Sequence, residues 1–174
     1  MVKTGEIDAF VSVPTDERLT YAISSREEIY RVEMRTTVKR GSLAEKMLTE
    51  KPNPKTLRSL RMCDILANGW GKDFAMKHTL QPVTVLNVAG CLRMVRKGRV
   101  DATLQSSVVA SREIRTQNLE KDLFILPPVY GTMVFTVLLS RKSAAGQEFI
   151  DRFDRTLRQM KQDGSYVRLL KHLN

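Results

Sequence analysis

The sequence predicts an α/β fold made of two similar lobes. A short phrase occurs twice, as TGEIDAF at residues 4–10 and as KGRVDAT at residues 97–103. Strand-like and helix-like segments alternate along the chain, which indicates βα units with largely parallel strands. A segment near the end has apolar residues at helical spacing on one face. Two copies of one helix-to-strand junction in an alternating chain indicate two small α/β lobes.

The first third of the chain contains strands and one helix. We predict strands at residues 6–13 and 28–38, a turn at 14–20 and a helix at 42–48. Ser42 is the predicted N-cap of the helix, and Glu45 completes a capping box. The prolines and the asparagine of EKPNPKTL then break the pattern.

The middle of the chain alternates most regularly. We predict strands at residues 60–66, 82–88, 99–105 and 122–128, helices at 89–98 and 106–114, and one more helix beginning near Lys72. Gly98 ends the helix before the second copy of the phrase. In each copy an aspartate lies at the entrance of the strand, where its carboxylate can accept hydrogen bonds from turn N–H groups.

The end of the chain is a long strand followed by two helices. The strand is predicted at residues 131–143. The first helix has one apolar face, formed by Phe149, Ile150, Phe153, Leu157 and Met160. Gly164 ends this helix, and residues 165–174 form a short final helix with Val167, Leu170 and Leu173 apolar.

Composition excludes several classes of protein. The chain has 174 residues, enough for one large domain or two small ones, and its apolar runs are too short to span a membrane. The net charge is +10, but the basic residues are scattered and aromatic residues are 6%, so we do not predict a nucleic-acid surface. The N-terminus lacks a secretory signal pattern, so the protein is cytoplasmic or the signal is absent from this version of the chain.

The cysteines and histidines do not indicate a metal site or catalysis. Cys63 and Cys91 have no CxxC spacing, so they form one disulfide in an oxidising compartment or remain two buried thiols, which is the preferred interpretation. His78 and His172 are isolated, and no GxSxG, P-loop or HExxH motif occurs. We predict a non-enzyme without metal or cofactor.

Four stretches in this order are similar to one protein family. They are GEIDAFVSVPTDER, AISSREEIYRVEMRTTVKRGS, VRKGRVDATLQ and FIDRFDRTLRQMKQDGSYVRLLKHL. Together they resemble the bacterial family 3 extracellular solute-binding proteins, the polar amino-acid-binding proteins of ABC importers. The resemblance implies a two-lobed, periplasmic-binding-protein-like fold of type II. Lobe one would comprise residues 1–35 and 131–174, and lobe two residues 36–130.

The resemblance also implies how the protein works. Members of the family have a further segment before the point that matches residue 1, so lobe one is expected to be incomplete, and we expect a second copy of the chain to fill it by oligomerisation or segment exchange. The lobes would close on a small carboxylate or amino-acid-like ligand about two strands near residues 31–38 and 130–135. The partner would be the permease of an ABC transporter, and the location the periplasm.

Candidate ligand residues of lobe one follow the first strand. The resemblance implies that the guanidinium of Arg18 forms a bidentate pair of hydrogen bonds with the ligand carboxylate, and that the hydroxyl or the N–H group of Thr15 donates to the same carboxylate. Ser12 and Val13 would offer backbone groups. The alternatives are a solvated arginine and a threonine that caps a helix.

Candidate residues of lobe two lie in one turn and directly at the end of one predicted strand. The first is the ANGWGK turn, with Asn68, Gly69, Trp70, Gly71 and Lys72, where free N–H groups at a helix start form an anion site. Trp70 would stack on the ligand or pack against its own lobe. Ser106 matches the acidic residue that binds an ammonium group in the family, and Gln105 precedes it.

That serine affects the predicted ligand. Gln105 and Ser106 accept hydrogen bonds but provide no charge, so a carboxylate without an ammonium group fits better than a standard amino acid. The alternative is a degenerate or sensor-like domain that binds no small molecule tightly and acts through protein contacts.

Overall fold

The computed structural model describes residues 2–66 and 68–171 and contains helices and strands in alternation, which confirms the α/β prediction. The elements in chain order are β1 (Ala9–Ser12), α1 (Asp16–Tyr21), β2 (Ala22–Ser24), β3 (Tyr30–Lys39), α2 (Leu43–Glu50), α3 (Pro54–Leu57), β4 (Met62–Ile65), α4 (Gly69–His78), β5 (Val83–Val85), α5 (Val88–Arg96), β6 (Ala102–Ser106), α6 (Ser107–Thr116), β7 (Leu123–Ser140), α7 (Gly146–Gln162) and α8 (Ser165–Lys171). They form two compact units: unit 1 is Met1–Arg31 with Met133–Asn174, and unit 2 is Val32–Thr132. Among the described helices, none has the length and apolar character needed to cross a membrane.

Unit 1 is a small antiparallel sheet covered by α7. β1 pairs with β7 in the register Ala9↔Leu139, and β2 pairs with β7 in the register Ala22↔Ser140. Ile150 of α7 is buried against Val137 and Leu139 of β7. The predicted apolar face of α7 is therefore confirmed where it meets the sheet.

A buried carboxylate fixes α7 to the chain after β2. Asp154 is 5% exposed, and its two oxygens accept hydrogen bonds of 3.0 Å from the backbone N–H groups of Arg26 and Glu27. The Glu27 carboxylate in turn binds Arg158 and Lys161 of the same helix. Loop backbone groups that would otherwise lack partners are thereby satisfied by the helix.

Unit 2 combines parallel and antiparallel strands. β4 pairs in parallel with β5 and β6, while β6 pairs antiparallel with β3. Its core is formed mainly by α5, α6 and the strands beneath them, with Leu92, Val95 and Leu123 buried. The prediction of largely parallel strands holds for β4, β5 and β6, which are joined by helices, and is wrong for the pairings of β1, β2 and β3.

Both glycines of the repeated phrase adopt the left-handed backbone conformation. Gly5 has φ 88° and Gly98 has φ 66°, and each lies four residues before a strand. Only glycine reaches this region at little cost, which explains why the phrase keeps it. Asp101 in the second copy accepts from the N–H of Arg61 at 2.7 Å and also binds its guanidinium, so the partner is the residue before β4 rather than a local turn.

The predicted capping of α2 is confirmed with one change. The Ser42 hydroxyl accepts from the Glu45 N–H at 3.2 Å. The Glu45 carboxylate accepts from the N–H of Gly41 at 2.5 Å, one residue before the expected donor. Both orphan donors lie at the helix start, so the predicted boundary at Ser42 is correct.

Several element boundaries were predicted wrongly. Residues 14–20 contain helix α1 rather than only a turn, and β2 follows it. The helix α4 begins at Gly69 and not near Lys72, because Asn68 is its N-cap. The two predicted strands at 122–128 and 131–143 form one strand, β7. Part of the predicted final helix, including His172 and Leu173, lies outside the described residues.

The preferred interpretation of the cysteines was also wrong. Cys63 of β4 and Cys91 of α5 form a disulfide, with α-carbons 5.6 Å apart. The two cysteines are separated by 28 residues, and only the packing of the strand and the helix brings their side chains together, which the sequence does not show. The disulfide crosses the core of unit 2, directly before the turn that contains the candidate ligand residues.

Candidate functional site

The first group of candidate residues lies in unit 1, where β1 ends and α1 begins. Thr15 is the N-cap of α1, and its hydroxyl oxygen accepts from the N–H of Arg18 at 3.3 Å. The Arg18 side chain donates from Nη1 to the carbonyl oxygen of Val13 at 2.8 Å. The candidate residues Val13, Thr15 and Arg18 are therefore in contact with one another, and the capping alternative for Thr15 is observed.

Arg18 retains the capacity to bind an anion. A guanidinium carries five N–H donors, and the side-chain hydrogen bond found here uses Nη1 alone. Among the residues that the structure describes, no carboxylate forms an ion pair with Arg18, and the residue is half-buried. The bond to Val13 limits the positions that the guanidinium can take, which favours forked binding of a carboxylate.

Ser12 contributes its backbone to a small polar network. Its carbonyl oxygen lies 3.5 Å from the hydroxyl of Thr136, which itself accepts from the Ser24 hydroxyl at 2.9 Å. These contacts link β1, β2 and β7 at the end of β1. They hold in place the strand end that precedes Val13 and Thr15.

The second group lies in unit 2, in the turn at residues 68–72, which we call the 68–72 turn. Asn68 caps α4, and its side-chain oxygen accepts from the N–H of Gly71 at 3.1 Å. Gly69, Trp70, Gly71 and Lys72 form the first turn of α4. The sequence predicts free N–H groups in this turn, but the N–H group of Gly71 is already bound by the side chain of Asn68.

Asp64 is the residue that the sequence analysis missed. It is 8% exposed, and its Oδ1 accepts three hydrogen bonds, from the N–H of Ile65 at 2.8 Å, the Asn68 side chain at 2.8 Å and the Gln105 side chain at 2.9 Å. The carboxylate thus joins the candidates Asn68 and Gln105, which are 37 residues apart in sequence. An aspartate within the otherwise apolar stretch MCDIL was the available signal.

Gly71 shows how closely the 68–72 turn covers this carboxylate. A β-carbon at Gly71 would overlap Asp64 Oδ2 and the amide nitrogen of Asn68. Both neighbours are held by their own hydrogen bonds and have little room to move. The position therefore requires glycine because of close approach, although its backbone is helical.

The two candidates at the end of β6 have structural partners. Gln105 is 3% exposed and donates to Asp64. Ser106 is the N-cap of α6, and its hydroxyl oxygen accepts from the N–H of Val109 at 3.3 Å. The structure therefore brings Gln105 next to Asn68 through Asp64, whereas Ser106 is used as a cap.

Trp70 packs against its own unit. Its ring stacks on Phe74 at a centroid distance of 4.9 Å, and Phe74 meets Tyr130 edge-on at 6.4 Å. The Tyr130 hydroxyl is buried and has no hydrogen-bond partner among the described residues, and burial raises the pKa of this tyrosine. These contacts describe the packing alternative that the sequence left open for Trp70.

A cavity of about 400 Å³ lies beside the 68–72 turn. Its polar lining includes Asp64, Asn68 and Lys72, and its apolar lining includes Leu80 and Pro82. The size is within the range of small-molecule sites. The cavity offers one buried carboxylate and one exposed ammonium group to an occupant.

Comparison with known proteins identifies the fold. No protein family model matches the chain, and no curated protein sequence matches it. Solved structures do match. A mutant of ArgBP from T. maritima matches with a TM-score of 0.70 and 16% identity, over 97% of this chain and 69% of that one. The amino acid ABC transporter substrate-binding protein AbpA from Streptococcus pneumoniae, bound to L-arginine, matches with a TM-score of 0.71 and 18% identity, over 98% of this chain and 69% of that one. A histidine kinase sensor domain with similarity to periplasmic binding proteins also matches (TM-score 0.73, 17% identity, 98% and 71%). The predicted periplasmic-binding-protein-like fold is confirmed.

Proposed function

We propose that this chain is a solute-binding module that captures a small carboxylate-bearing solute for an ABC importer, and that Arg18 contacts the carboxylate of the solute. The observation that supports this most directly is the state of Arg18. Its guanidinium is positioned by Val13, is half-buried, and has no carboxylate partner among the described residues. An arginine that the surrounding protein does not neutralise is suited to a carboxylate ligand.

The similar structures support an amino-acid-like solute and a transporter partner. One is described as an amino acid ABC transporter substrate-binding protein bound to L-arginine. Another is described as an ancestral arginine-binding protein bound to glutamine, with a TM-score of 0.69 and 18% identity. We propose the permease of such a transporter as the partner of this chain.

The disulfide supports an extracytoplasmic location. Disulfides form and persist in oxidising compartments and are rare in the cytosol. The Cys63–Cys91 bond lies in the core of unit 2. We therefore propose the periplasm as the compartment in which this protein folds and works.

Calorimetric titration of the 174-residue protein with matched ligand pairs tests the proposal. L-arginine is compared with L-argininamide, and succinate with succinamide, so that each pair differs in its carboxylates. Binding of the carboxylate member about tenfold more tightly than its amide supports the proposal. No heat across the panel, from protein with native circular dichroism, contradicts it.

A second candidate is a sensor-like domain with a degenerate ligand site. The similar histidine kinase sensor domain and the use of Ser106 as a helix cap favour it. The two candidate functions predict different effects of ligands on the thermal unfolding temperature. A ligand-induced rise in Tm that disappears in Arg18→Ala supports solute binding, whereas no rise with any carboxylate supports the sensor-like domain.

We also propose that a second copy of the chain completes unit 1. Strand β1 is four residues long, and within the described sheet it has β7 as its single neighbour, while Val11 on β1 is 50% exposed. Unpaired strand edges and exposed apolar residues favour association. Sedimentation equilibrium tests this, and a monomer with native circular dichroism would contradict it.

A further inference from the structure

We propose that the free edge of β5 is a docking site for an extended segment of another protein, in which acidic residues alternate with apolar ones. The site lies within unit 2, and its use is independent of solute binding. Three features of unit 2 carry the inference: an unpaired strand edge, a basic cavity on one side of that edge and an apolar surface on the other.

The first feature is the free side of β5. Within the described sheet, β5 is the terminal strand and pairs with β4 alone. The N–H of Leu66 donates to the carbonyl oxygen of Val85 at 2.8 Å, so the backbone groups of Val85 face β4. Since successive residues of a strand direct their backbone groups to opposite edges, Thr84 presents its N–H and C=O groups to the free side. A strand edge of this kind pairs with an added strand.

The second feature is a basic cavity on the α5 side of β5. The cavity measures about 470 Å³, and its lining includes Val85, Arg93, Lys97 and Arg99, with no acidic residue among the described residues that line it. The three basic residues are exposed, and none forms an ion pair with a described carboxylate. Arg93 donates to the side chain of Gln117 at 3.4 Å, a contact that neutralises no charge. The charge of this side therefore favours an acidic occupant.

The third feature is an apolar surface on the α4 side of β5. Thr84 lines the cavity of about 400 Å³ together with Leu66, Met76, Leu80 and Pro82. Leu66 is 53% exposed and Met76 is 70% exposed. Exposed apolar side chains beside a free strand edge favour contact with apolar side chains of another chain.

The alternation of the two sides specifies the pattern of the occupant. Val85 lines the basic cavity and Thr84 the apolar one, as expected for successive residues of a strand. The side chains of an added strand alternate in the same way, so acidic residues lie on the α5 side when apolar residues lie on the α4 side. Nucleic acids and lipid surfaces lack backbone N–H and C=O groups at strand spacing, so a polypeptide is the occupant that uses all three features.

The short edge makes the side-chain pattern decisive. Strand β5 has three residues, and Pro82 before it has no N–H group to donate. An added strand therefore forms few backbone hydrogen bonds with β5. The flanking side chains must supply much of the affinity, which makes it depend on the order of residues in the segment and not on its composition alone.

NMR titration with two blocked peptides of equal composition tests this dependence. The probe is Gly-Val-Glu-Val-Glu-Val-Glu-Gly, and the control is Gly-Val-Val-Val-Glu-Glu-Glu-Gly. We expect saturable shifts at the backbone amides of Thr84 and Leu86, with the alternating peptide binding about fivefold more tightly than the control. No saturable shift at these amides in natively folded protein, or equal affinity for the two peptides, overturns the inference.

Two substitutions separate the strand edge from the charge. Thr84→Pro removes the outward N–H group without removing a donor to β4, and Thr84→Val is its control. Lys97→Glu reverses a charge of the basic cavity, and Lys55→Glu reverses the charge of an exposed lysine on α3. We expect the Kd of the alternating peptide to rise about fivefold or more in Thr84→Pro and about threefold to tenfold in Lys97→Glu, and to change by less than about threefold in either control. An unchanged Kd in folded Thr84→Pro or in Lys97→Glu overturns the inference.

N-methylated peptides test the edge without changing the protein. Methyl groups on the valine nitrogens and methyl groups on the glutamate nitrogens block opposite edges of the alternating peptide. One of the two methylated peptides should lose about fivefold in affinity or more, while the other stays within about threefold. Equal affinities for the two overturn the inference. A shift of the Thr84 amide on dilution of the protein without peptide would assign the edge to a second copy of the chain, which also overturns it.

Discussion

The indole ring of Trp70 lies directly against Gly131: a β-carbon at Gly131 would be 2.5 Å from the Cζ2 atom of the indole. Gly131 belongs to β7, and Trp70 to the first turn of α4. The helix that begins at the 68–72 turn is therefore packed against the strand by this ring, together with the edge-on contact of Phe74 with Tyr130. Since Trp70 is the single tryptophan of the chain, its fluorescence reports the contact.

Gly131→Ala should displace the ring and destabilise the protein. The extra methyl group overpacks the contact, at a cost of about 1–3 kcal/mol. We expect a shifted tryptophan emission maximum and a lower urea midpoint. Gly69→Ala is the control, because a β-carbon at Gly69 meets nothing within 4 Å. Identical emission spectra for all three proteins would contradict the contact.

The Cys63–Cys91 disulfide should contribute strongly to stability. The bond closes a loop with a sequence separation of 28 residues, for which the chain-entropy model gives about 3–4 kcal/mol. Urea unfolding with and without dithiothreitol measures the effect. The Cys63→Ala/Cys91→Ala variant is the control and should not respond to the reductant. Equal midpoints for the oxidised and reduced protein would show that the bond contributes nothing.

Asp154→Ala should be more destabilising than a surface substitution on the same helix. It leaves the N–H groups of Arg26 and Glu27 without their acceptor, at a cost of about 2–5 kcal/mol in total. Asp154→Asn should cost less because it keeps one acceptor oxygen. The exposed Asp151→Ala should stay within about 0.5 kcal/mol. Chemical denaturation measures all three, and equal losses for Asp154→Ala and Asp151→Ala would refute the anchoring role.

Glu27 should make stability depend on pH under acidic conditions. Hydrogen bonds from Lys161 and Arg158 hold the pKa of Glu27 below its usual value of 4.5. Because the folded-state pKa is depressed, the contribution is present above the unfolded pKa and is lost as the pH falls through the folded pKa. Glu27→Gln should therefore lose less stability than the unmodified protein between about pH 6 and pH 3.

Glu148→Gln provides the comparison for this pH dependence. Glu148 is an exposed acid of the same helix and forms no ion pair among the described residues, so Glu148→Gln removes an equal charge without breaking the ion pairs of Glu27 and is the matched control. Denaturant midpoints measured across the range at low salt give the slopes. A Glu27→Gln slope equal to that of the unmodified protein would contradict the ion-pair account.

Local patterns predicted the elements whose own residues determine them. The Ser42 cap, the apolar face of α7 and the glycine junctions were correct because each depends on neighbouring residues alone. The strand β7 was predicted as two strands, at residues 122–128 and 131–143, with Pro127 and Pro128 at the end of the first. The structure continues through them because the fixed φ of proline is compatible with extended backbone.

The parts that sequence could not predict depend on residues far apart in the chain. The disulfide and the Asp64 network join β4 to α5 and β6, across 27 to 41 residues. The helix α1 has no buried residue, so no apolar periodicity marked it, although Thr15 followed by two acids was a capping signal. Arg18 and Thr15 could be chosen as candidates, but their contacts with each other and with Val13 required the structure.

Binding of a carboxylate by Arg18 is the central claim, and calorimetry of Arg18 variants tests it most directly. With the tightest carboxylate of the panel, Arg18→Ala should raise the Kd by about tenfold to hundredfold and Arg18→Lys by less, because lysine keeps the charge but loses the fork. Arg155→Ala removes an exposed arginine from α7 and should leave the Kd unchanged. An Arg18→Ala protein that is folded and binds as tightly as the unmodified protein would contradict the account.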